Sequence, residues 1–197
     1  TPEQNERHPD GQISTEVRGN IFLIGIDRPE KYNGFTPKMF SELADAYAEL
    51  ENNSELWVGV LFAHGKHFTA GLDLPKFADA MKKGEAILPT NGIDPFSLKP
   101  PFRTKPVVAA MNGICYTAAI ELMLATEIVV SARSARYSQL EVGRGVMAAA
   151  GATFRMVERA GWGNAMKVLL TGYEFNAEEA LRYNFIQEIV DDGEEFN

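Results

Sequence analysis

Two glutamates carry the chemistry this sequence can do. Glu121 lies between Ile120 and Leu122, with Met123 and Leu124 following, on a segment that is apolar on every side. A helix of that composition is buried. A carboxylate buried with it either finds a compensating partner or holds its proton to a higher pH than in water. Arg133, Arg136, Arg144 and Arg155 are all available as ion-pair partners, so a structural pair is one reading of Glu121 and a working acid or base is the other. Glu141 stands in Ser138-Gln139-Leu140-Glu141-Val142-Gly143, where a carboxylate on a surface turn is the ordinary reading. Two glutamates that converge, however, can hold one water between them and divide base and acid roles across a reacting double bond. No metal site is expected: His64 and His67 share one turn and His8 sits in a polar stretch. The single cysteine, Cys115, has no partner for an intrachain disulfide.

The elements that must position these residues alternate between strands and helices. Ile21, Phe22, Leu23, Ile24 and Ile26 predict a buried strand over 20–27, ended by Arg28-Pro29-Glu30. Thr36 as cap and Pro37 as first residue open a helix whose apolar stripe is Met39, Phe40, Leu43, Ala44, Tyr47 and Leu50, and Asn52-Asn53 stop it. A second strand is expected over 57–63, followed by a sharply bending loop between Gly65 and Gly71. Pro75 opens a helix ending near Lys83-Gly84, and the Pro-, Gly- and Asn-rich stretch up to Pro101 reads as a long loop of the kind that is either mobile or ligand-facing. Further on, a strand over 106–111, a turn at Asn112-Gly113 and a short helix over 118–125 bring the chain to Glu121. Strands at 128–131 and near Tyr137, then helices around 154–160, 164–171 and 177–183, complete an α/β pattern. Residues 1–16 read as a polar tail and 17–197 as one domain.

Composition narrows the function classes. With 197 residues, 45% hydrophobic and 23% charged, the chain is neither disordered, collagen-like nor coiled-coil. Nineteen Lys and Arg against 27 Asp and Glu give a net charge of −8, which argues against a nucleic-acid partner. No apolar run approaches the roughly 20 residues that span a bilayer, and the polar start lacks a signal-peptide core. The expectation is therefore a soluble, cytoplasmic protein with no membrane partner.

The loop Phe68-Thr69-Ala70-Gly71-Leu72-Asp73-Leu74, the segment Pro106-Val107-Val108-Ala109-Ala110-Met111-Asn112-Gly113, and Glu121 with Glu141 together resemble the crotonase superfamily of enoyl-CoA hydratases and isomerases. Arg28-Pro29-Glu30-Lys31-Tyr32-Asn33 and Leu170-Thr171-Gly172 match as well. The resemblance implies an α/β spiral of repeated strand-strand-helix units that binds an acyl-CoA thioester, in a homotrimer or dimer of trimers. It implies no cofactor, coenzyme A being part of the substrate. By motif position the peptide N–H groups of Leu72 and Ala118 form the oxyanion hole, where fixed amide dipoles meet the charge on a thioester enolate. Glu121 would activate the water that attacks Cβ, and Glu141 would deliver the proton to Cα. Lys31 and Tyr32 would lie beside the coenzyme A arm, with Ala70, Leu72, Asp73 and Leu74 on its other side. Phe68 would anchor the loop, and Cys115 and Tyr116, between strand and helix, would pack, with an approach of Tyr116 to the acyl chain as the alternative.

The retained pair of glutamates points to hydration of a 2-enoyl-CoA. The alternatives are an isomerase or another acyl-CoA enzyme with one working glutamate, or a non-catalytic acyl-CoA-binding member. Thr117-Ala118-Ala119 stands where the hydratases usually have three glycines, which predicts either a narrower acyl pocket or a differently set coenzyme A. Val146-Met147-Ala148-Ala149-Ala150-Gly151 replaces the usual Pro- and Gly-rich turn, which predicts a different conformation of the loop supporting Glu141. Glu194-Glu195-Phe196-Asn197 reads as the start of a helix, where family members continue through a C-terminal helical segment that covers the site and joins subunits.

Overall fold

The apolar run from Ile21 forms an inner strand that buries one whole face: Phe22, Ile24 and Ile26, two residues apart, are all at most 1% exposed. In the computed structural model, which describes residues 8–84 and 87–193, this strand is β2 (Ile21–Asp27). It pairs antiparallel with β1 (Gln12–Arg18), in register from Gln12 opposite Asp27 to Arg18 opposite Ile21. The strand β1 begins inside the stretch expected to be a polar tail. Its residues are half-buried or exposed, so as an edge strand held by backbone pairing it carries no apolar run that composition would reveal.

From β2 onward the main sheet is parallel. Its order is β1-β2-β3-β4-β6-β9, with β3 (Val58–Ala63), β4 (Val107–Met111), β6 (Ile128–Ala132) and β9 (Glu188–Val190). A second layer holds β5 (Ile114–Tyr116), β7 (Arg136–Ser138) and β8 (Phe175–Asn176). Single bridges between Phe35 and Leu72 and between Thr69 and Cys115 extend it. After β2, β3, β4 and β6 the chain passes through this layer before it returns, which is the expected spiral. Four strands have only two or three residues, too few for a period; β7 is the one expected, near Tyr137, and β5, β8 and β9 are not marked by the sequence.

The helices are α1 (Pro37–Asn52), α2 (Leu74–Lys83), α3 (Ala118–Leu124), α4 (Ala152–Ala160), α5 (Trp162–Thr171) and α6 (Ala177–Arg182). All seven residues of α3 are buried, Glu121 among them, as its apolar composition requires. The helix expected at 194–197 lies outside the described residues.

Helix α1 supplies Phe40, whose ring stacks on Phe35 at 4.6 Å and meets Phe96 edge-on at 5.7 Å. The Thr36 hydroxyl accepts from the Met39 N–H at 3.3 Å and donates to the Asp10 carbonyl at 2.8 Å. Thr36→Val keeps the shape and removes both bonds, so it is expected to lower the unfolding free energy by about 1–2 kcal/mol in urea titrations.

Candidate active site

The loop after β3 is held from two sides. Toward the 28–35 turn, the Ala70 N–H donates to the Tyr32 carbonyl at 3.0 Å, the Phe35 N–H to the Gly71 carbonyl at 2.9 Å, and the Asp73 N–H to the Phe35 carbonyl at 2.9 Å. Toward β5, the Thr69 N–H donates to the Ile114 carbonyl and the Tyr116 N–H to the Thr69 carbonyl. Asn33 stitches the turn itself: its side-chain amide donates to the carbonyls of His64 at 2.9 Å and His67 at 2.7 Å and accepts from the Arg28 N–H at 2.7 Å. Between Phe68 and Asp73 the peptide N–H of Leu72 is left over: it donates to no group among the described residues.

Across from Leu72 is Thr117, where the chain turns from β5 into α3. Its φ of 50° and ψ of −107° are costly for a β-branched residue. The turn is tight because Gly71 closes on it: a Cβ at Gly71, itself at φ 104°, would lie 2.1 Å from the Thr117 hydroxyl oxygen. The N–H of Ala118, first residue of α3, likewise has no acceptor among the described residues.

Glu121 is placed one turn later and is 5% exposed. Its Oε1 accepts from the Ala150 N–H at 2.7 Å and the Ala152 N–H at 3.2 Å. Among the described residues it has no salt bridge, so none of the four arginines is the direct partner that a structural ion pair requires. Desolvation pushes its carboxyl up to about 7; Glu141 adds to the rise, while the two N–H donors and the charge of Arg155 oppose it. The sequence assigns the stretch 146–151 to the support of Glu141. In the structure its end cradles Glu121, because α4 starts at Ala152 and leaves the N–H groups at its mouth free to donate.

Glu141 lies in a short 3-10 turn, Leu140–Arg144, and Gln139 donates to its Oε1 at 2.9 Å. Burial raises its pKa too. Both glutamates line one cavity of about 740 Å³. The remaining wall is mainly apolar, with Phe40, Leu72, Met81, Leu88, Phe96 and Met147 in it. Thr117 and Ala118 face the same space, whereas Ala119 is packed in the core at 0% exposure. Of the three residues replacing glycines, two therefore border the cavity. The long loop after α2 contributes Leu88 and Phe96, in line with the ligand-facing reading of it.

A second cavity of about 530 Å³ holds Lys31, Tyr32, Ala70 and Asp73, the residues expected beside the coenzyme A arm, together with Arg28 and Lys76. Ala70 and Leu72 belong to both cavities, so the loop is their common wall. Leu74 falls on the first cavity only. Asp73 is committed to Arg28, whose Nη1 lies 2.7 Å from Oδ2. Tyr32 stacks on His67 with ring centroids 5.2 Å apart. Phe68 and Cys115 are buried at 0% exposure, as loop anchor and packing residue. The hydroxyl of Tyr116 donates to Glu174, and Tyr116 does not border the first cavity, which disfavours the alternative of an approach to an acyl chain. The peptide cradle of Ala150 and Ala152 is absent from the sequence reading; the Gly-Ala step at 151–152, opening a helix within reach of a buried acid, is its only signal.

A family model described as enoyl-CoA hydratase/isomerase matches residues 16–197. The chain belongs to the enoyl-CoA hydratase/isomerase family. A probable enoyl-CoA hydratase/isomerase from Mycobacterium abscessus superposes with a TM-score of 0.90 at 41% identity, over 93% of this chain and 71% of that one. An enoyl-CoA hydratase from Mycobacterium tuberculosis H37Rv does so with a TM-score of 0.84 at 33% identity, over 96% and 72%. In sequence, a mevalonyl-coenzyme A hydratase of Beauveria bassiana is 32% identical over 88% of this chain and 65% of its own length. The chain thus spans about 65% of the length of the first curated relatives it matches. The fold is the crotonase fold of this enoyl-CoA hydratase/isomerase family. Among the described residues no group of three His, Cys, Asp or Glu could hold a metal ion, and no helix is long and apolar enough to cross a membrane.

The raised pKa of Glu121 sets the sign of a stability effect. With a folded value of about 7 above the ordinary 4.5, the carboxyl contributes stability that is fully present below pH 4.5 and is lost as pH rises through 7. Glu121→Gln keeps an acceptor for both N–H groups and removes the charge. It is expected to raise stability at pH 8 by on the order of 1–3 kcal/mol, with the gain shrinking toward pH 5, in thermal denaturation at the two pH values.

Proposed function

We propose that the protein hydrates a 2-enoyl-CoA to the 3-hydroxyacyl-CoA. The observation that carries this reading is the pair of carboxylates in one mainly apolar cavity, next to the two unpaired N–H groups of Leu72 and Ala118. The second cavity suits the anionic arm of the same thioester through Lys31, since Arg28 and Lys76 beside it are paired with Asp73 and Asp10, and the wall at Ala70 and Leu72 is where the thioester carbonyl passes between them.

In this reading the thioester oxygen accepts from Leu72 and Ala118. Attack at Cβ pushes electrons into the carbonyl, and the enolate charge that develops on oxygen meets two preoriented N–H dipoles. Glu121, ionised, accepts a proton from the attacking water while the hydroxyl bonds to Cβ. Glu141, whose burial strengthens its hold on a proton, gives a proton to Cα. Return of the proton from Glu121 to Glu141 through solvent resets the pair. No electrons leave the substrate, so the step calls on no redox cofactor. An isomerase moves a proton between carbons of the acyl chain with one acid-base group, and the second glutamate in the cavity, half-buried Glu141, is what favours water addition over it.

The test measures loss of the conjugated enoyl absorbance with short- and medium-chain 2-enoyl-CoA thioesters. Saturable loss is expected, reduced roughly 10²–10⁴-fold by Glu121→Gln and by Glu141→Gln. If one of these variants keeps full activity, the reaction is an isomerase-type one; folded protein that binds the thioester without turnover marks a binding role.

A further inference from the structure

Arg155, on α4, forms no salt bridge among the described residues, although it is half-buried. Its side chain nevertheless has three neighbours just behind the cavity wall: Ser97, Phe154 and Gly151. Nη2 donates to the Ser97 carbonyl at 3.2 Å, next to the Phe96 that lines the first cavity. The guanidinium lies over the Phe154 ring at 4.9 Å. Nη1 is buried without a hydrogen-bond partner and rests on Gly151, where a Cβ would come within 2.3 Å of it. Gly151 sits between Ala150 and Ala152, the two residues whose N–H groups hold Glu121. A glycine there, at φ 115°, lets the guanidinium lie across the middle of that cradle.

The charges around it are few. Glu121 faces Arg155 from α3, Asp94 from the 94–98 loop, and Glu158 and Arg159 from α4 itself. Asp94 is already committed, its two oxygens accepting from the Phe96 and Leu98 N–H groups at 2.9 Å each. Glu141 is the other charge acting on Glu121 and opposes ionisation. A direct Arg–Glu pair would occupy the Glu121 oxygens and quench it as a base. A cation placed behind the peptide cradle stabilises the anion and leaves Oε2 open to water.

We propose that Arg155 is a positioning residue for Glu121: laid across Gly151 and tied to Ser97, it fixes the 150–152 cradle and supplies the positive charge that faces the buried carboxylate. This rests on the reading of Glu121 as the base, and its test does not depend on turnover. Arg155→Gln and Arg155→Lys are made in the parent protein and in the Glu121→Gln background, and thermal stability is measured at pH 5 and pH 8. The Tm loss from Arg155→Gln is expected to grow from pH 5 to pH 8 in the parent protein and to be the same at both pH values in the Glu121→Gln background. Contributions of Asp94, Glu158 and Arg159 cancel between the two backgrounds. In turnover, Arg155→Gln is expected to move the acidic limb of the kcat/KM profile up by on the order of half a pH unit, and Arg155→Lys to leave it in place. Equal Tm losses in both backgrounds, or a lower rate with an unmoved limb, overturn the proposal and leave Arg155 a packing residue. If Arg155→Gln does not fold, recovery of folding by added Glu121→Gln supports it and failure of both overturns it. Absence of turnover in the parent protein refutes the hydratase reading and leaves the stability result standing.

Discussion

Keeping one carboxylate in an apolar interior is the constraint around which this structure is arranged. Glu121 sits on a helix with no exposed residue, and water is replaced there by two peptide N–H groups from the mouth of α4. Such a carboxylate is stabilised enough to exist and not enough to be inert. The cost falls on the fold, and the two-layer spiral meets it by packing α3 within a large apolar core.

The second requirement is a backbone that leaves specific donors unused. The loop 68–73 is bonded on one side to the 28–35 turn and on the other to β5, yet Leu72 is skipped. Regular pairing would have consumed that N–H. The single-residue bridges at Phe35–Leu72 and Thr69–Cys115 are where the second layer thins to allow it. Gly71 and the strained Thr117 bring the two sides close enough for the donors of Leu72 and Ala118 to border one space.

Much of this is legible in residue order. The stripe from Met39 to Leu50 defines α1, the all-apolar run around Glu121 marks a buried acid, and the motifs from Phe68 to Gly113 identify the fold. The parts that escape reading are held by backbone: β1 is an edge strand without an apolar face, β5, β8 and β9 are too short for a period, and the Glu121 cradle consists of peptide groups that any residue supplies. The convergence of Glu121 and Glu141 is likewise a product of folding, since twenty positions of chain separate them and only their shared cavity joins them.

The common wall at Ala70 and Leu72 divides labour between two chambers. Residues such as Met81, Leu88 and Met147 shape the first chamber without contributing to the loop that scaffolds the free donors. Exchanging side chains there re-sizes the chamber and leaves the donors and glutamates beside the wall in place. Selectivity in this architecture is thus modular, and one reactive core can be inherited by descendants with different appetites.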